Sequence, residues 1–229
     1  MADTLRLSHP DGTLTVRLRR STRARRLTLR VPGDGTLPIV TAPPRLPERE
    51  IVAFVRDRLD WLVAALSRVP ERVAVGPGVV LPVEGVPHTI TLGARAAIEA
   101  RTVIVTGRPD QTAARVRGAL KALARDRAIA ALDHYSAELG RPYSRLTLRD
   151  TKGRWGSCTT EGAIMLSWRL ILAPPSVLRY VAAHEIAHLE QMDHSPAYWA
   201  VVERLYPDWQ TQRDWLKREG AALLRFEFG

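Results

Sequence analysis

Three observations predict an α+β chain. The first forty residues alternate apolar and polar side chains between glycine-containing turns. One long amphipathic stretch fills the middle, and the last third reads as helices punctuated by proline. The expected architecture is a β-rich N-terminal half with one helix (residues 1–108). A C-terminal half follows over 109–229, with a backing helix, short antiparallel strands, a histidine-bearing helix and two further helices.

The length of 229 residues suffices for one sizeable domain or two small ones, and 45% apolar with 25% charged residues is ordinary globular composition. The single cysteine, Cys158, excludes an internal disulfide framework and suits a reducing compartment. The first residues lack a signal-type apolar core and no run approaches membrane-spanning length, so a cytoplasmic protein without membrane contact is expected. The net charge of +10 comes from 31 Arg and 3 Lys against 24 carboxylates. Such an excess would favour nucleic acid or acidic partners; arginine-rich solvated faces are the plainer reading.

In chain order, Thr13–Arg19 and Arg26–Val31 alternate as strands, with turn signals at Asp11-Gly12 and Gly33-Asp34-Gly35. Seven arginines between Arg17 and Arg30 could grip phosphates. No aromatic residue stands among them to stack bases, so a sheet exterior is the safer account. Pro47 opens a helix expected to run to about Arg68, with Ile51, Phe54, Val55, Leu59, Leu62 and Leu66 as its apolar stripe and Trp61 packed in the core. Short strands return over Val69–Thr106, including His88–Leu92 and Thr102–Val105, and His88 reads as solvent-facing. Gly107-Arg108-Pro109-Asp110 is the candidate boundary between the halves. An amphipathic helix from about Gln111 to Leu139 buries Val116, Leu120, Leu123, Ile129 and Leu132, leaves His134 at the surface and stops at Gly140. Strands are expected at Arg145–Arg149 and Ala163–Trp168. Helices are expected over about 175–192, 196–205 and 207–224, the last two anchored by Trp199, Trp209 and Trp215.

The chemistry concentrates in His184-Glu185-Ile186-Ala187-His188 and, six residues on, His194. Histidines four apart stand one above the other on a helix face, so both imidazoles reach one metal ion, with Glu185 beside them to take a proton from bound water. With 6 His and 12 Glu in 229 residues, about 0.008 chance matches to this pattern are expected. His194 would point away if the helix continued. Pro196 and the N-cap Ser195 open a new helix, and Asp193 tolerates a left-handed turn, so the chain is expected to fold back and deliver His194 as third ligand. Three histidines with one open position suit a catalytic zinc; a structural zinc closes all four. Cys158 reads as a small buried hydrophobe.

Arg149-Asp150, Arg154-Trp155-Gly156-Ser157-Cys158, Trp168–Pro174, Tyr180–Glu185, His194-Ser195 and Tyr198-Trp199 together resemble the YgjP-like metallopeptidases, a bacterial family related to the SprT-like zincins. The Arg-rich strands near Arg19–Arg30 and the helix bearing Trp61 fit as well, so the resemblance covers nearly the whole chain. It implies a small zincin-like metallopeptidase region over 109–229, with His184, His188 and His194 as zinc ligands and Glu185 as catalytic carboxylate. It also implies a cleft-side strand, for which Gly162–Trp168 is the choice. The sequence departs from the family at Asp193, where asparagine is frequent, and at Gly153, where serine is common.

The implied reaction is hydrolysis of a peptide or protein substrate by metal-activated water, with Glu185 as general base. Tyr198 and Arg154 are the candidates for an oxyanion or substrate contact. Tyr180, one turn before His184, either supports the histidines from behind or belongs to the core. The rival class is a nucleic-acid-associated zinc protein. It would be either a DNA-recruited protease or a non-catalytic binding module, with nucleic acid held by the Arg-rich surface. The sequence is silent on oligomeric state.

Overall fold

The computed structural model describes residues 3–229 except Asp11, Asp34 and Pro70, so part of each glycine turn expected near the N-terminus lies outside the described residues. The chain forms two compact units, Met1–Arg72 and Val73–Gly229.

In the first unit, strands β1 (Thr4–His9), β2 (Gly12–Arg20), β3 (Thr28–Arg30) and β4 (Ile39–Ala42) form a sheet in the order β1-β2-β4-β3. β1 and β2 are an antiparallel hairpin, β4 runs parallel to β2, and β3 is antiparallel to β4. Alternation puts Leu5, Leu7, Val16, Leu18 and Val40 on one side, where they are buried against Ile51, Val55 and Leu62 of the helices. The helix expected from Pro47 to Arg68 is two: α1 (Glu48–Arg56) and α2 (Leu59–Leu66). The break lies at Arg58 (φ −119°, ψ 16°), whose N–H bonds Val55 O instead of Phe54 O. The abandoned Phe54 carbonyl accepts from the guanidinium of Arg58 itself at 3.1 Å, while that group lies over the Phe54 ring. Leu62 remains fully buried, but Trp61 is 50% exposed, contrary to its expected core role. The two side chains are about 100° apart around α2, and the apolar stripe selects Leu62.

In the second unit, β5 (Val73–Ala74) is followed by β6 (Val80–Val83), β7 (Val86–Leu92), β8 (Ala97–Glu99) and β9 (Thr102–Val105), the last four in the order β6-β7-β9-β8. The long helix α3 (Thr112–Leu139) ends at Gly140, whose φ of 73° is the left-handed cap. Next come β10 (Arg145–Arg149), β11 (Gly156–Cys158) and β12 (Ala163–Ser167), then a 3-10 turn over Trp168–Leu172. Helices α4 (Pro175–Ala187), α5 (Pro196–Leu205) and α6 (Trp209–Leu223) follow, and β13 (Phe226–Glu227) pairs with β5. The expected boundary at 108/109 falls inside this unit. Its cause is packing: Val83, Ile90, Val103 and Val105 share one core with α3 and α4. The buried line of α3 runs Val116, Leu120, Ala124, Ala128, Ala131 and Tyr135, and Ile129 is turned outward. Alanines at the contact let α3 and α4 approach closely, which an isoleucine there would prevent.

Two further differences bear on the site. β10 and β12 are parallel, not antiparallel, and β12 is the central strand of the order β10-β12-β11. Both of its edges are therefore paired, and the cleft-side edge belongs to β11. Arg169 locks this region: it is buried, makes a two-pronged pair with Asp150 (2.6 and 3.2 Å), and donates to Leu223 O and Phe226 O. Among the described residues no helix is long and apolar enough to cross a membrane.

Candidate metal centre

α4 starts at Pro175, whose missing N–H costs nothing at a first turn, and steps by four through Tyr180, His184 and the capping His188. The helix ends sooner than the expected 192. Gln191 N–H still reaches Ala187 O, but Leu189 and Glu190 bond three residues back, tightening the last turn. His188 Nδ1 lies 3.0 Å from Gln191 O. A carbonyl only accepts, so Nδ1 carries the proton and Nε2 is left as the free lone pair. The return of the chain works by side-chain acceptors. Asp193 Oδ1 accepts from Ser195 N–H (3.1 Å) and Ser195 Oγ from Tyr198 N–H (3.4 Å), with Pro196 first in α5. Asp193 is not in the left-handed region expected of it.

This turn brings His194 Nε2 to 3.4 Å from His184 Nε2, and one nitrogen from each of His184, His188 and His194 lies within 4.8 Å of the others. Ligands about 2.0–2.1 Å from a tetrahedral zinc are separated by about 3.4 Å, so the closest pair already has the required edge. Burial, followed by neighbouring His188, His194 and Arg213, pushes the His184 pKa down to about 3; burial likewise lowers His188. Both imidazoles are thereby held neutral, the state that ligates. The outer Nδ1 of His184 is buried with no hydrogen-bond partner, so nothing corresponding to the Gln191 carbonyl orients that ring.

Glu185 is 4% exposed, and burial raises its pKa to about 8 against the opposing pull of Arg154. It packs on β11 where Gly156 leaves room; a Cβ there would stand 2.7 Å from the carboxyl carbon. A cleft of about 460 Å³ opens over His184 and Glu185, lined also by Arg154, Tyr180, Arg213 and Lys217. A hollow of equal volume beside Leu170 and Leu178 contains His134 and the Glu84–Arg127 pair but no ligand cluster, so chemistry rather than size distinguishes the two.

Of the two expected oxyanion donors, Arg154 lines the cleft and Tyr198 does not. Tyr198 is fully buried, its O–H donates to His184 O at 3.0 Å, and its ring stacks on His188 at 4.5 Å. Burial raises its pKa further, so the phenol keeps its proton and braces His184 and His188. Arg213 and Lys217 were not foreseen, although Trp209, Arg213 and Lys217 recur every four residues on α6. The Arg213 guanidinium lies 4.9 Å from Trp199, which stacks on Trp209 (4.4 Å). Cys158 stays outside the ligand cluster, its thiol pushed up to about 11 by burial and then by Glu185. His88 bonds locally to Val86 O and His134 is paired with Glu138 at 3.8 Å.

No curated protein matches this sequence. Among solved structures, the metallopeptidase zymogen abylysin of Pyrococcus abyssi is similar at 24% identity, covering 39% of this chain and 93% of that one, with a TM-score of 0.35. The family model for the YgjP-like metallopeptidase domain matches residues 25–219, a span holding the three histidines, Glu185, Arg154 and strand β3. The chain belongs to the YgjP-like metallopeptidase family.

Proposed function

We propose that this metallopeptidase uses zinc held by His184, His188 and His194, with Glu185 as general base. The observation that supports this best is the convergence of three imidazole nitrogens within 4.8 Å beside a buried carboxyl group. Two imidazoles held neutral offer uncharged nitrogen lone pairs, the form that a divalent cation binds. The all-imidazole donor set suits zinc. Zinc bound there provides a water of lowered pKa and polarises the scissile carbonyl.

The remaining work falls to the chain. Glu185 accepts a proton at its carboxylate oxygen and returns it to the leaving amine nitrogen. Arg154, with Arg213 across the cleft, supplies positive charge for the developing oxyanion. In β11, Ser167 N–H bonds Trp155 O and Thr159 N–H bonds Ala163 O, so the antiparallel alternation turns the N–H and C=O of Gly156 and Cys158 away from β12. An extended peptide adding to that edge lies alongside Glu185. β11, not Gly162–Trp168, is the substrate strand in this account. The single cysteine suits a reducing compartment, and we place the protein in the cytoplasm.

Glu185→Gln tests the assignment. The variant keeps the metal content of the parent and loses hydrolysis of a quenched-fluorescent peptide by about 10²-fold or more. Full turnover would remove Glu185 from the base role.

A further inference from the structure

The solvent side of the sheet in the Met1–Arg72 unit is lined by arginines. Register places Arg17 and Arg30 on either side of Ile39, and Arg19 beside Thr41 and Thr28, opposite in facing to the buried Val16, Leu18 and Val40. Arg6 joins the same side next to Thr15. None of the four strands contains Asp or Glu. Residues 1–72 carry 14 of the 31 arginines against 8 carboxylates, a net +6 of the chain's +10 in under a third of its length. Not every arginine here is open to a partner. Arg20 is committed to the carbonyls of Pro44 and Leu46, each at 2.8 Å. By contrast, no carboxylate of a described residue pairs with Arg23, Arg25 or Arg26, all exposed in the loop leading to β3.

Two hollows flank this loop, and the second reaches the helices. One of about 690 Å³ runs past Arg23, Arg25 and Arg26 to Thr28 and Thr41. The other, about 550 Å³, shares Arg26 and is walled by Leu27, Leu29, Phe54, Arg58 and Trp61. The stacking aromatic that the arginine-rich strands lack is thus supplied by α2, by the same half-exposed Trp61 that the apolar stripe rejects. Guanidinium groups for phosphates beside an open indole face form a single-strand platform, because a base can stack only when unpaired.

We infer that the Met1–Arg72 unit binds single-stranded nucleic acid, with phosphates along Arg23, Arg25 and Arg26 at the β3 edge and a base stacked on Trp61. The reading is independent of the metal centre and stands or falls without it. The test titrates the full chain against a fluorescently labelled oligothymidine of about 12 nucleotides, followed by anisotropy from about 50 mM salt upward. The expected affinity falls linearly in log–log form with salt. Trp61→Ala weakens binding by about 5-fold to 100-fold without changing that slope. Joint replacement of Arg23, Arg25 and Arg26 by serine flattens the slope by about 2. All changes are on exposed side chains, and an unaltered thermal midpoint confirms folding of each variant. Equal affinity of Trp61→Ala and the parent overturns the inference. So does binding to heparin, a duplex or anionic vesicles that exceeds binding to the single strand, since charge alone would then explain the face. Absence of oligonucleotide binding at the lowest salt overturns it outright.

Discussion

The unit holding the three histidines and the N-terminal sheet use arginine differently. In the former, several guanidinium groups are satisfied within the fold: Arg169 by Asp150 and two carbonyls, Arg127 by Glu84, Arg204 by Glu190. Arg213 lies against stacked tryptophans. On the sheet, Arg17, Arg19 and Arg30 stand on a solvent side whose strands have no acidic residue. A single composition of arginines therefore conceals two roles, and local pairing rather than charge count separates them. Screened surface cations contribute little to stability, whereas a buried cation holding an acid and two carbonyls is expensive to remove.

The widest gap between the two regions is expected from paired substitutions. Arg169→Ala leaves Asp150, Leu223 O and Phe226 O without their donor and lowers unfolding free energy by about 2–4 kcal/mol, discounted for the part-exposed Asp150. Arg17→Ala changes it by no more than about 0.5 kcal/mol. Chemical denaturation of both variants measures the difference, and equal losses would abolish the distinction. Gly156→Ala comes next. The new methyl group, 2.7 Å from the Glu185 carboxyl carbon, costs about 1–3 kcal/mol and depresses peptide hydrolysis by displacing that side chain. A Thr15→Ala change in the sheet, where Thr15 faces the solvent side, should be silent in the same assays.

The smallest effect is on Cys158. Its thiol, raised to about 11 from an unfolded value near 9, stays protonated in the fold across pH 9–11, where the unfolded chain loses its proton. The folded state then binds more protons, so this group's contribution to stability is intact below about pH 9 and is lost as pH rises toward 11. Alkylation by iodoacetamide at pH 8 is expected to be much slower in the native chain than in denaturant; equal rates would show that the site is not desolvated.

Much of the site was legible because its determinants are local. The four-residue spacing of His184 and His188, and the Ser195–Pro196 helix start that returns His194, operate within one or two turns. What could not be read depends on distant partners. β12 alternates like any strand, and only its pairing with both β10 and β11 removes its edges. Tyr198 has the chemistry of an oxyanion donor until the helix places its hydroxyl on His184 O. No proline or glycine marks the break at Arg58, which is held by that residue's own side chain. The exposure of Trp61 follows from that break and from the competition with Leu62 for the core. The unit boundary at Arg72/Val73 reflects strands that pack on α3, a contact between segments far apart in sequence.

The account rests on His194 joining the two helical histidines on one ion. Elemental analysis of purified parent, Glu185→Gln and His194→Ala proteins measures this directly. Equimolar zinc in the first two and a sharp loss in the third is the expected result, and undiminished zinc in His194→Ala would contradict it.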